Sequence, residues 1–194
     1  MKTPFHKIYN DIVKILDDNL PKHLAYHNVN HTLYVLDKAE YIAKKENIKK
    51  ADIQLLRVAA LYHDIGFVKS HVEHEKEGCN IAKRQLKTYG YSEDDIATVC
   101  GMIMATRIPQ NPKNKLEEIL ADADLEYLAT AQFWEIGASL YQELCHYNSS
   151  LTITKWNHIQ IDFIKNHTFH TRYCKHYKTF RKLKNLELLK SNMR

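Results

Sequence analysis

Histidine and aspartate, residue types that bind divalent metal ions, occur at three separated places in the sequence. His27 and His31 stand four residues apart in the stretch YHNVNH. His63 and Asp64 are adjacent in LYHDIGF, and Asp124 follows in LADADLEYL. One histidine of the first stretch, together with the other three residues, would supply two imidazoles and two carboxylates. That set suits Mn²⁺, Fe²⁺, Co²⁺, Ni²⁺, Zn²⁺ or a Mg²⁺-like ion with positions left open for water and substrate.

The apolar surroundings of the two aspartates favour a metal over a purely solvated role. His63 and Asp64 follow an apolar segment that stops near Gly66, and Asp124 lies beside the apolar stripe of its predicted helix. A carboxylate in such surroundings is costly unless a cation pairs with it. Asp122 lies about 200° from Asp124 around a helix, so we do not expect both to bind one ion.

The elements that must position these residues are helices. Apolar residues repeat at helical spacing, no segment alternates with period two, and the chain has only five glycines and four prolines. We predict an all-α fold, a single-domain bundle of about eight or nine helices. Two helices precede residue 46, with Pro21 ending the first, and the others are predicted at 51–65, 72–89, 93–107, 114–129, 131–148, 152–167 and 170–190.

Length, composition and charge are those of an ordinary globular domain. The 194 residues suffice for one sizeable core, 44% are hydrophobic, and no apolar run is long enough to cross a bilayer. The N-terminal segment has no signal-peptide pattern, so we expect a cytoplasmic protein. Residues 163–194 hold nine Lys or Arg against one acid. We interpret that excess as a solvated basic helix face rather than a nucleic-acid site.

The ordered set of His31, the pair His63 and Asp64, and then Asp124 resembles the HD-domain superfamily of metal-dependent phosphohydrolases. The resemblance covers residues from about 24 to 130 and implies a helical bundle of the HD-domain, phosphodiesterase-like type. It implies one domain over 1–194, in which helices from 131–194 pack on the core at 24–130. It also assigns His31, His63, Asp64 and Asp124 as ligands of one or two divalent ions.

The wording YHN followed by His31 is similar to cyclic nucleotide phosphodiesterases, a branch of the same superfamily. In that branch the histidine of the YHN triplet is the general acid, so the resemblance implies that His27 is the proton donor. Asp64 would take part in catalysis through the ion, and Asp122 would have a supporting role. A surface histidine that hydrogen-bonds locally is the alternative for His27.

Three further residues are candidates for contacts with a second ion or with phosphate. Some HD families place a histidine near His74 as a ligand of a second metal, bridged by Asp64, or as a phosphate contact. Lys69 and Arg107 are the basic residues closest in sequence to the proposed ligands or in an interhelical loop, where functional side chains concentrate. We expect His74 near the site and treat Lys69 and Arg107 as phosphate-contact candidates.

The resemblance implies hydrolysis of a phosphomonoester, phosphodiester or phosphoanhydride by a metal-activated water, and a nucleotide is the substrate we expect. Alternatives are a dedicated cyclic nucleotide or cyclic dinucleotide phosphodiesterase, a di-iron oxygenase, and a non-catalytic regulatory protein that binds nucleotides or nucleic acid. The expected partner is a phosphorylated small molecule, with no membrane and no nucleic acid. A homodimer stays open.

Overall fold

The computed structural model describes residues 2–192 and shows, over that range, α-helices joined by short loops and no β-strand. Short 3₁₀ helices at Ile65–Val68 and Glu126–Ala129 follow the third and sixth α-helices. The predicted all-α fold is confirmed. Across the same residues, no helix has both the length and the apolar character needed to span a bilayer. The α-helices are α1 (Phe5–Asn19), α2 (Val29–Lys45), α3 (Lys50–Tyr62), α4 (His74–Thr88), α5 (Glu93–Ala105), α6 (Lys115–Asp124), α7 (Phe133–Tyr147), α8 (Ile153–Asn166), α9 (Arg172–Tyr177) and α10 (Thr179–Ser191).

Local sequence fixes where several helices begin and end. Leu20 precedes Pro21 and is extended, which ends α1. The Asn28 side chain accepts hydrogen bonds from the backbone N–H groups of Asn30 and His31, which starts α2 and places His31 in its first turn. A reciprocal capping box between Ser92 and Asp95 starts α5 in the same manner.

Three predicted helices differ from those observed, and two of the differences bear on the site. The helix predicted at 51–65 ends at Tyr62, because Asp64 leaves the helical conformation at φ −108°, ψ 3°. The helix predicted at 114–129 ends at Asp124, where Leu125 turns into the second 3₁₀ helix. The helix predicted at 170–190 is divided into α9 and α10 at Lys178, whose side chain is drawn to the buried Glu126.

Two apolar clusters hold the bundle together. The larger cluster contains residues of all helices from α1 through α6, so α1 belongs to the core although the predicted core begins at residue 24. Fully buried members of this cluster include Ile8, Ile12, Leu16, Ala39, Leu56, Ile103 and Leu120. The smaller joins the C-terminal helices to the segments that carry His27 and Asp124, through Tyr26, Tyr127, Phe133, Ile161, Ile164 and Leu186. Burying these side chains gains roughly 25 cal/mol per Å² of apolar surface.

Asp122 ties the start of α9 to α6. Its buried carboxylate accepts hydrogen bonds from the backbone N–H groups of His170 and Thr171, both at 2.8 Å, and from the Thr171 hydroxyl at 2.6 Å. The same hydroxyl accepts from the N–H of Cys174 and caps α9. Asp122 therefore points away from Asp124 and toward the C-terminal helices.

Candidate metal centre

Four donor atoms from three chain segments converge at one point of the bundle. His31 Nε2 lies 3.2 Å from Asp64 Oδ2 and 3.2 Å from Asp124 Oδ1. His63 Nε2 lies 3.1 Å from Asp64 Oδ2, 3.7 Å from Asp124 Oδ1 and 3.2 Å from His31 Nε2. His31, His63 and Asp124 thus form one compact group of candidate ligands, and Asp64 Oδ2 lies against its two imidazole nitrogens.

Helix ends position three of these side chains. His63 and Asp64 are adjacent, and adjacent residues inside a helix would point about 100° apart. Since α3 stops at Tyr62, the backbone turns between them and both side chains reach the same point. Asp124 is the last residue of α6. The negative ends of both helices therefore lie near the cluster and favour a cation there.

The hydrogen bonds of the cluster fit a bound divalent ion. His63 Nδ1 is 2.8 Å from the carbonyl oxygen of Ala60, to which it donates in the neutral tautomer, leaving the Nε2 lone pair free for a metal. Asp64 Oδ2 is buried, and although two imidazole nitrogens are close, neither is directed at it as a hydrogen bond. A buried carboxylate oxygen without a donor is costly. A cation would satisfy it.

The charges at the centre favour a cation as well. Burial raises the pKa of Asp64, but the neighbouring His63 and His31 hold it well below its usual range, so this carboxylate is ionised. Burial lowers the pKa of His31, whereas its close contacts with the carboxylates of Asp124 and Asp64, and their negative charges, raise it to about 9. The two carboxylates thus draw positive charge to the point where the imidazoles meet.

His27 is oriented by Glu143, a buried carboxylate of α7. His27 Nδ1 lies 2.5 Å from Glu143 Oε1, and the backbone N–H groups of Tyr26 and His27 both donate to Oε2 at 3.0 Å. Burial raises the pKa of Glu143, but these contacts lower it below the usual range. An ionised Glu143 accepts a hydrogen bond from Nδ1–H of His27, which leaves Nε2 as the ring nitrogen available to a ligand.

Phe67 lies between two histidine rings beside the centre. Its ring stacks on His27 with centroids 4.4 Å apart and on His74 with centroids 4.0 Å apart. His74 Nε2 lies 3.5 Å from Asp64 Oδ1 and 3.4 Å from the buried Glu75. Only glycine fits at residue 66, because a Cβ there would lie 1.8 Å from the carbonyl oxygen of His74. The close approach that Gly66 permits places His74 near the site.

A cavity of about 420 Å³ opens onto the centre. His27, Asp64, His74 and Asp124 line one end, and apolar side chains of α7 and α8 line most of the rest. Its size and mixed lining are those of a site for a small molecule. His31 and His63, which lie behind Asp64 and Asp124, are almost fully buried.

The two basic residues nominated for phosphate contact lie elsewhere. Arg107 is 45% exposed and pairs with Glu73 at 3.3 Å, and Lys69 is exposed. Within residues 2–192, neither contributes to the lining of the cavity. Both residues are close to the motif in sequence, but their side chains project to solvent.

Two acidic residues at the site were missed by sequence reasoning. Glu143 lies between Leu140 and Leu144 in α7, and Glu75 lies in the first turn of α4. A carboxylate within an apolar helix stripe is the same signal that drew attention to Asp124. It could have identified Glu143, although not its partner.

Comparison with known protein families identifies the same part of the chain. The family model of the HD domain matches residues 28–126, a stretch that contains His31, His63, Asp64 and Asp124. This chain belongs to the HD domain family. The match begins one residue after His27, so the family model does not extend to the candidate proton donor.

Two solved structures share this fold. A predicted HD superfamily hydrolase from an uncultured Thermotogales bacterium is 22% identical, with a TM-score of 0.63, over 95% of this chain and 90% of its own. Bacillus subtilis YpgQ, solved in complex with ADP, is 20% identical, with a TM-score of 0.62, over 96% of this chain and 95% of its own. No curated protein matches the sequence.

Proposed function

We propose that this HD protein is a metal-dependent phosphohydrolase that cleaves a phosphomonoester, phosphodiester or phosphoanhydride bond. A nucleotide is the substrate we favour. The observation that carries the proposal is the cluster of two imidazole nitrogens and two carboxylate oxygens beside a cavity large enough for a small molecule. His31, His63, Asp64 and Asp124 would hold the ion.

The donor set suits Mn²⁺, Fe²⁺, Co²⁺, Ni²⁺, Zn²⁺ or Mg²⁺. Such an ion supplies an activated water and polarises a phosphoryl oxygen. His74, close to Asp64 and Glu75, is the candidate ligand of a second ion or a contact for phosphate. We therefore propose one or two ions per chain.

The residues around the ion have separate tasks. Asp64 and Asp124 line the cavity, where a substrate would meet them, whereas the buried His31 and His63 would hold the ion without contacting the cavity. His27 would donate a proton through Nε2 to the leaving oxygen, because Glu143 fixes its Nδ1–H. The aromatic and aliphatic walls of α7 and α8 exclude water from the rest of the cavity.

A nucleotide is the substrate class we favour. Trp156 and Phe163 offer aromatic surface for a base within the cavity. The relative YpgQ was solved with ADP. The di-iron oxygenase alternative would need more ligands around His71 or His74. The His71 side chain is exposed and stacks on Tyr147, whereas His74 lies near Asp64 and Glu75, so iron content and oxygen consumption are the measurements that separate this alternative from hydrolysis.

The test is a metal-supplemented hydrolysis screen over nucleotides and generic phosphodiesters, run on the wild type, Asp64→Ala and His63→Ala. We expect turnover that depends on added metal, at least one ion per wild-type chain by elemental analysis, and loss of both in the variants. Retained metal with unchanged turnover in Asp64→Ala would sink the proposal. Nucleotide binding that persists in Asp64→Ala, without turnover in any protein, would indicate the regulatory alternative.

A further inference from the structure

The cavity beside the metal centre has two chemically different ends. The end at Asp64 and Asp124 is where a phosphate would meet the ion. The rest of the lining is mostly apolar, and α7 and α8 contribute to it Phe133, Leu140, Leu144, Trp156, Ile159 and Phe163. A ligand that fills the cavity must therefore have a phosphate at one end and a flat or apolar body at the other.

The charges of the lining limit how many phosphates the cavity can accept. Among residues 2–192, the lining includes three acids (Asp64, Glu75 and Asp124) but no lysine or arginine. Polyphosphate chains are normally bound by Arg or Lys side chains along their length. In this cavity only the ion and the two histidines could balance phosphate charge. A single phosphate fits this balance better than three.

Gln160 is the exception in the apolar wall. Apart from the indole of Trp156, it is the only polar side chain that α7 and α8 contribute to the lining. It packs against α7 at Gly137, where a Cβ would come within 2.8 Å of Gln160 Oε1. Its Nε2 makes only a long contact of 3.4 Å with Asn157. A side-chain amide offers both a donor and an acceptor, the pair that reads the edge of a nucleobase.

We propose that the cavity takes a nucleoside monophosphate and that Gln160, in the space left by Gly137, determines which base is accepted. The phosphate lies at Asp64 and Asp124, and the base lies against Trp156 and Phe163. This inference rests on the proposed phosphohydrolase function and adds to it the number of phosphates and the residue that sets base specificity.

The binding test uses the fluorescence of Trp156. Trp134, the other tryptophan, is replaced by Phe in every protein, so that the signal comes from the cavity. Quenching is followed by stopped flow in Mg²⁺, before turnover, for the 5′-mono- and triphosphates of the four nucleosides and for phenyl phosphate, which has no hydrogen-bonding edge. We expect one monophosphate to bind about tenfold more tightly than the other three and than its own triphosphate.

Variants at two positions separate base reading from packing. Gln160→Leu should weaken binding of the preferred monophosphate about tenfold and leave phenyl phosphate unchanged. Gln160→Glu, which keeps the size but loses the donor, should change the order of preference among the bases. Gly137→Ala should displace the Gln160 amide and act in the same direction as Gln160→Leu. Tightest binding of a triphosphate, or equal effects of Gln160→Leu on all ligands, would overturn the proposal.

Failure of this inference can be told from failure of the proposed function. If metal-dependent hydrolysis is observed but Gln160→Leu leaves base preference unchanged, the inference is wrong and the phosphohydrolase function stands. If base-selective quenching is lost in Gln160→Leu but no protein hydrolyses any phosphate, the binding inference stands and the phosphohydrolase function is wrong.

Discussion

At the scale of single residues, the centre depends on buried carboxylates with different partners. Asp64 has an oxygen without a hydrogen-bond donor and is directed at the two imidazoles. Glu143 receives three hydrogen bonds, all from Tyr26 and His27. The first is therefore a candidate ligand, and the second holds a neighbouring histidine in one orientation.

Glu143→Gln should lower kcat by about 10²-fold, the low end of what a positioned acid contributes, and leave the metal content unchanged. The amide keeps the size of the side chain but loses the negative charge that fixes Nδ1–H of His27. Steady-state kinetics, with elemental analysis, check this.

Glu135→Gln is the matched control, since Glu135 lies on the same helix but is exposed. It should behave as the wild type in both measurements. A Glu143→Gln protein with normal kcat would remove His27 from the proton-donor role.

At the scale of elements, the end of α6 combines two tasks within one turn. Asp124 faces the cavity, whereas Asp122 accepts three hydrogen bonds from His170 and Thr171 at the start of α9. Because residues two positions apart lie on opposite sides of a helix, one turn can serve both the metal centre and the C-terminal helices.

Asp122→Ala should reduce the free energy of unfolding by about 2–4 kcal/mol, since buried N–H donors of the α9 start lose their acceptor. The metal affinity should change little, as Asp124 is unaltered. Urea unfolding and metal titration check the two expectations. Asp162→Ala, a change at an exposed aspartate of α8, is the control and should cost less than about 0.5 kcal/mol.

Helical periodicity was enough to predict the elements but not all of their ends. The apolar spacing of residues such as Ile8, Ile12 and Leu16 indicates a helix, because burial on one side requires that spacing. The ends at Tyr62 and Asp124 are not directly followed by glycine or proline, and Gly66 comes only four residues after Tyr62, so the local sequence does not place either end. Tertiary contacts set them, and they are the ends that matter for the site.

At the scale of the whole molecule, the C-terminal helices complete the cavity as well as the bundle. The candidate ligands could be predicted because their residue types and order resemble a known motif. The partnership of His27 with Glu143 could not, since it joins residues 116 positions apart. Likewise the exposure of Arg107 depends on its ion pair with Glu73, 34 positions away.

The stability of the whole fold should depend on pH through His167. Lys182, a buried residue of α10, donates to the carbonyl oxygens of Ile164 and His167 at the end of α8 and lies 3.4 Å from His167 Nδ1. Burial and the charge of Lys182 lower the pKa of His167 to about 3. In the unfolded chain it is about 6.5. The unfolded state therefore binds more protons below pH 6.5, and this contribution to stability is lost as the pH falls toward 3.

We expect the free energy of unfolding to fall by about 1–2 kcal/mol between pH 7 and pH 5 from this residue alone. His167→Gln should flatten the dependence over that interval, as measured by urea unfolding at each pH. His158→Gln, at an exposed position of α8, should keep the wild-type slope. Equal slopes in all three proteins would show that His167 is freely protonated in the fold.

The position of Phe67 between His27 and His74 has a spectroscopic consequence. An aromatic ring stacked at 4.0–4.4 Å shifts the proton resonances of its neighbours upfield through its ring current. The imidazole C–H signals of these two residues should therefore separate from those of most of the 12 histidines in the chain. Phe67 gives each of them an intrinsic NMR label, by which protonation of the candidate acid can be followed in the intact protein without any substitution.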